Sequence, residues 1–187
     1  MKTSILWRRL DIPGYEACRV TAAAESWRVA GSAVFAWDGR ACRLDYSILC
    51  DSAWHTRSAG VSGWIGDDDV SIAIAVGSDR RWTLNGTACE QVSGCVDIDL
   101  NFSPSTNLLP IRRLALDVGQ SADVQAAWLR CPNFALERLP QRYTRLDRTQ
   151  YRYESAGGEF AADLIVNDAG LVTSYEGLWV EAGVRSA

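Results

Sequence analysis

The chain has 187 residues, 19 basic and 23 acidic side chains and a net charge of -4, with 48% hydrophobic and 22% charged residues. That is the composition of an ordinary globular protein, long enough for one domain with a sizeable core and too short for two full ones. Lys2 is the only lysine, so the positive charge sits on arginine forks that pair with carboxylates or phosphates, and the acidic total argues against nucleic acid as a partner.

The N-terminus, Met-Lys-Thr-Ser-Ile-Leu-Trp-Arg-Arg, carries two arginines that end its apolar run before a signal-peptide core forms, which points to the cytoplasm. From Trp27 to Trp37 and again from Ala41 to Asp51 the residues alternate with period two. Cys42, Leu44, Tyr46, Ile48 and Cys50 share one face, as a half-buried strand requires, and Asp38-Gly39 supplies the tight turn between the two runs.

Cys50-Asp51-Ser52-Ala53-Trp54-His55-Thr56-Arg57 breaks this pattern around the only histidine. His55 is a candidate general base, or else a hydrogen-bonded strand residue. Gly60-Val61-Ser62-Gly63 lacks the spacing of a nucleophile elbow. Asp67-Asp68-Asp69 reads as a solvated hairpin tip before a strand over Val70–Val76, and Trp82-Thr83-Leu84-Asn85-Gly86 ends in another turn pair.

In the next strand, Cys95–Leu100, Asp97 and Asp99 fall on one face, roughly 6–7 Å apart by strand rise. That separation suits acid/base work on a glycoside, and an exposed strand face gives the same pattern. Ser103-Pro104-Ser105-Thr106-Asn107 is an irregular polar loop, read as entering a strand from Leu108 that carries Arg112 and Arg113 on opposite faces. One of these arginines must then find a carboxylate such as Asp97 or Asp99, or an anionic ligand.

Strands are expected over Leu114–Val118, Val124–Leu129, Gln150–Glu154, Phe160–Val166 and Leu171–Tyr175. Turns are expected at Gly157-Gly158 and Asn167–Gly170, and a short turn over Asn133–Arg138. Between Arg138 and Arg152 five arginines interleave with Tyr143, Tyr151 and Tyr153, a mix that clamps an anionic head group or guards an outer strand face. No composition shift gives grounds for cutting the chain, so one domain over 1–187 is expected.

The longest stretch free of charge, Leu100–Ile111, is short and broken by Pro104 and Pro110, which excludes a membrane-spanning helix. Six cysteines without Cys-x-x-Cys spacing read as reduced, buried thiols, and with one histidine neither a metal site nor a cofactor is expected. Eight tryptophans suit a core, and suit equally a groove for sugar faces or acyl chains.

The segment order Trp37-Asp38, Leu44-Asp45-Tyr46, Cys50 to Arg57, Trp82-Thr83-Leu84-Asn85-Gly86, Cys95 to Leu100, Ser103 to Leu114, Gln141-Arg142-Tyr143 and Asp168 to Val172 resembles the bacterial putative glycolipid-binding family. The resemblance implies a mainly β fold: a single strongly bent antiparallel sheet, a half-barrel or β-roll with at most a few short helices and an apolar concave side. It implies no catalytic residue.

The expected function is binding of a glycolipid or lipid-like amphiphile in that concave groove. Trp54, His55, Arg57, Trp82, Asn85, Asp97, Asp99, Asn107, Arg112 and Tyr143 are the candidate ligand-binding residues. The alternatives are a sugar- or lipid-directed hydrolase or isomerase using Asp97, Asp99 and His55, and a protein-interaction module. The oligomeric state is left open.

Overall fold

The computed structural model describes residues 2–183. Fifteen strands join one sheet in the order β8-β7-β6-β5-β4-β3-β2-β1-β15-β14-β13-β12-β11-β10-β9. From β1 (Lys2–Arg9), β2 (Gly14–Ala23), β3 (Ser26–Trp37), β4 (Arg40–Asp51), β5 (Thr56–Ile65), β6 (Asp68–Val76) and β7 (Trp82–Leu84), the chain lays each strand beside the last. It reaches one edge at β8 (Thr87–Ala88), crosses to the other edge at β9 (Asp97–Leu100), and returns through β10 (Ser121–Arg130), β11 (Ala135–Arg145), β12 (Gln150–Ser155), β13 (Phe160–Val166) and β14 (Val172–Tyr175). The last strand, β15 (Trp179–Glu181), lies beside β1.

All neighbouring strands are antiparallel except β9 and β10. A parallel pair cannot be closed by a hairpin and needs a crossover of a dozen or more residues. Here the crossover runs from Asn101 to Gln120 and holds a 3-10 turn (Pro104–Asn107) leading into the helix α1 (Leu108–Leu114).

The local chemistry explains the long hairpins. Trp37 pairs with Arg40 around Asp38 and Gly39, both at positive φ (49° and 73°), the backbone of a two-residue turn that matches strand twist. Behind it Cys42, Leu44, Tyr46, Ile48 and Cys50 are buried and Arg43 is exposed, as the alternation predicts. All six cysteines are free and buried.

The structure corrects the sequence reading in four places. Leu108 onward is helical: Ser103 caps the crossover turn, its Oγ accepting from the Ser105 N–H at 3.1 Å, and Pro104 follows at the first position, where a missing N–H costs nothing. The strand expected over Leu114–Val118 is therefore the end of α1, stopped by Ala115 in the left-handed region (φ 45°), and a loop. Asn133–Arg138 is a turn only to Phe134; β11 begins at Ala135 and carries Pro140, which in the sequence read as a break.

Before Trp27, where no strand was read, β1 and β2 place Ile5, Trp7, Cys18 and Val20 in the core. Glu16, on the buried side of β2, masked that alternation.

The inward faces of both halves of the sheet close on the crossover. Residues 102–111 are buried without exception. Phe102 packs at 6.4 Å from Phe35 and 6.1 Å from Tyr46, Ser103 reaches Glu16 on β2, and Tyr143 on β11 reaches Asn107. The concave side expected to be an open groove is thus occupied by the chain itself.

Candidate functional site

A cavity of about 570 Å³ opens where the crossover meets the returning half of the sheet. Its aromatic wall comes from five strands: Trp128 on β10, Tyr153 on β12, Phe160 on β13, Tyr175 on β14 and Trp179 on β15. Tyr153 stands edge to face with Phe160 and Tyr175, which are tilted against each other, with centroids 6.0–6.3 Å apart. Its polar lining includes Asp99 on β9, Asn101, Ser103 and Asn107 of the crossover, Arg130 on β10, Ser155 at the end of β12 and Glu159.

Asp99 is held by one bond, from Gln141 Nε2 to Oδ2 at 2.6 Å; among the described residues nothing donates to Oδ1. Burial pushes its carboxyl up to about 6, against the Gln141 bond that lowers it. Burial and the Asp99 charge together also raise the Tyr153 hydroxyl. Asn107 is fixed by the Tyr143 hydroxyl donating to Oδ1 at 2.9 Å and by its own Nδ2 donating to the Pro104 carbonyl at 3.2 Å. The second amide N–H remains for a ligand.

Of the ten candidate residues, Asp99, Asn107 and Tyr143 therefore come together, with Tyr143 buried behind Asn107 as its support. Trp54, His55, Arg57 and Arg112 form a second group. His55 Nδ1 lies 3.1 Å and Arg57 Nη2 3.0 Å from Asp51 Oδ2. Burial alone would raise the Asp51 carboxyl; hydrogen bonds from the His55 amide and ring, with the nearby charges, hold it below its usual value. Trp54 stacks on Trp27 at 4.5 Å, with the Arg112 guanidinium 5.6 Å from its ring.

Asp97 meets neither group directly. Its carboxylate is 1% exposed and takes a two-pronged bond from Arg113, at 3.1 and 2.5 Å. The arginine that must find a carboxylate does so, from a helix rather than a strand. The exposed-face reading of Asp97 and Asp99 fails, because Ile98 and Leu100 are buried on the other side of β9 as well.

Trp82 is a core residue whose Nε1 donates to the Cys95 carbonyl at 3.0 Å, and Asn85 caps the β7–β8 turn by accepting from the Ala73 amide at 2.7 Å. His55, Asp97 and Asp99, the acid/base candidates, each have a different partner: Asp51, Arg113 and Gln141. Neither His55 nor Asp97 lines the large cavity. Among the described residues no three His, Cys, Asp or Glu side chains are grouped to hold a metal ion, and no helix is long and apolar enough to cross a membrane.

Sequence reasoning singled out Tyr153 among the arginine–tyrosine mix but missed the rest of the cavity wall, since nothing local sets Phe160, Tyr175 or Trp179 apart from core aromatics. It also missed Glu16, whose only signal was a carboxylate on an otherwise apolar parity.

The model of a family described as "Putative glycolipid-binding" matches residues 4–181. The chain belongs to this family. The crystal structure of a DUF1089 family protein from Pseudomonas aeruginosa is 32% identical and superposes with a TM-score of 0.79, over 88% of this chain and 90% of that one. No curated protein matches the chain. The Pseudomonas aeruginosa protein shares the fold of this chain.

Proposed function

We propose that this chain binds the sugar-bearing end of an amphiphile in the 570 Å³ cavity, with Asp99 and Asn107 meeting hydroxyl groups and the rings of Trp128, Tyr175 and Trp179 covering its apolar faces. The observation that carries this reading is the free Oδ1 of Asp99 standing among five aromatic rings. A carboxylate and an amide in an aromatic wall offer acceptors and donors to hydroxyls and flat apolar surfaces to C–H faces. The volume lies within the ~300–1,000 Å³ of small-molecule sites. The family description supports the same ligand class.

The binding site in this reading lies beside the crossover rather than along the inner face of the sheet, and the second group around Trp54 and His55 stays outside it. The test is a titration with octyl glucoside below its micelle concentration, following tryptophan fluorescence, because Trp128 and Trp179 are in the wall. Saturable quenching in the native protein, weakened roughly tenfold by Asp99→Asn through loss of a charged hydrogen bond, is expected. An unchanged spectrum, or the same affinity in Asp99→Asn, overturns the reading.

A further inference from the structure

A second cavity, about 350 Å³, shares no lining residue with the first. It is bounded by Arg112 at the end of α1, by Arg145, Arg148 and Tyr151 around the β11–β12 turn, and by the Asn167–Gly170 turn after β13. Three arginines and one carboxylate, that of Asp168, line it.

The arginines are held open rather than neutralised. Arg145 commits three of its five N–H donors to carbonyls, reaching Leu116 O at 2.7 Å, Arg148 O at 2.9 Å and Asp147 O at 3.1 Å, so its position is fixed while two donors remain. Arg112 forms no ion pair or hydrogen bond among the described residues, and its Nε is buried without a partner. Its stem lies against Gly170, where an added Cβ would stand 3.1 Å from Arg112 Cδ, so the turn presses directly on the side chain that it orients. Only Arg148 is paired, to Asp168 at 2.6 Å, and both of those side chains are largely in water, where such a pair contributes little. Asp147, next along the chain, is occupied in accepting from the Thr149 and Gln150 amides.

We infer that this cavity binds a phosphate group, with Arg112 and Arg145 as its fixed donors and Arg148 as a movable third. Three planar forks against one lining carboxylate match the charge and geometry of a phosphate mono- or diester. The Arg112 guanidinium, 5.6 Å from the Trp54 ring, has no anionic partner among the described residues, and an anion in the cavity supplies one. The inference is independent of the sugar-binding reading, because the two cavities have no residue in common.

Calorimetric titration with inorganic phosphate tests it, alongside cosedimentation with vesicles of phosphatidylcholine alone and of phosphatidylcholine mixed with phosphatidylglycerol. Saturable phosphate binding is expected, weakened about tenfold or more in Arg112→Gln and severalfold in Arg148→Ala. Asp168→Asn, which removes the one opposing charge, is expected to tighten it. Arg148 is exposed, so its variant reports on the site even if Arg112→Gln perturbs folding.

Binding to the mixed vesicles only, lost in Arg112→Gln, assigns the site to a lipid headgroup. Phosphate binding without vesicle binding assigns it to a soluble phosphate compound. Binding of neither inorganic phosphate nor the mixed vesicles, or binding equal in the native protein and both arginine variants, overturns the proposal.

Discussion

Glu16 is a buried carboxyl that ties β2 to β4 and to the crossover. It is 1% exposed on β2, and its Oε1 accepts from both Tyr46 and Ser103 at 2.6 Å. The Tyr46 ring reaches it by lying over Gly31, where a Cβ would sit only 2.6 Å from the Tyr46 hydroxyl oxygen. Burial raises the Glu16 carboxyl to about 8, more than these bonds and Arg9 lower it. The folded state therefore keeps a proton that the unfolded chain gives up near the ordinary value of 4.5. Its contribution is complete below about 4.5 and is lost progressively as pH rises to about 8, at up to ~1.4 kcal/mol per pH unit. Glu16→Gln, which keeps an acceptor for Tyr46 and Ser103, should flatten the fall in melting temperature across that window and raise stability at its alkaline end. A native and variant pair with parallel pH profiles would refute this account of Glu16.

Asp99 titrates the other way with respect to ligand. Its carboxyl, raised to about 6, gains acceptor strength when ionised. Octyl glucoside affinity should rise between about pH 5 and about pH 7.5 and lose that dependence in Asp99→Asn. A flat native profile would remove Asp99 from the binding reaction.

At the scale of elements, the crossover decides the molecule. Its turn and helix contribute Phe102, Leu108, Leu109 and Ile111 to the core, all between 0 and 6% exposed. A surface loop of this length would leave the inward faces of both halves of the sheet uncovered. Leu109→Ala, at a site with 0% exposure, should cost ~2–5 kcal/mol in denaturant unfolding. Ser103→Ala removes both the cap of the turn and a bond to Glu16, and should cost ~1–2 kcal/mol. A loss below a few tenths of a kcal/mol at both positions would show that the crossover is not integral to the core.

At the scale of the whole molecule, the two halves of the sheet meet at a thin seam. β3 and β4 pair over twelve positions, β1 and β15 over three, and β14 and β15 over two. Trp7 reinforces that seam: it is fully buried, and its Nε1 donates to the Val172 carbonyl on β14 at 2.6 Å. Opening free energy follows local pairing and packing, so amides of β3 and β4 should exchange slowest and those of β14 and β15 faster. Trp7→Phe, which loses the bond and part of the ring, should cost ~1–3 kcal/mol and speed exchange selectively in β14 and β15. Uniform exchange across the sheet would contradict the seam.

The alternation from Trp27 to Asp51, the Asp38-Gly39 and Asn85-Gly86 turns and the apolar parity of Cys42 to Cys50 are local properties, and each is realised where the sequence puts it. They determine a mainly β chain of long hairpins, because side-chain period and turn conformation depend only on near neighbours. The matching segments also carried the family. Tertiary structure decided the rest. Leu108–Leu114 is apolar enough for a strand, and it is a helix because the parallel β9–β10 pair demands a crossover and the roll supplies the interior that buries it. Glu16 acquires its meaning from Ser103, 87 positions away, and the aromatic wall of the cavity gathers rings from five strands. Such contacts are set by how far the sheet bends and what fills it, and no short-range pattern encodes that.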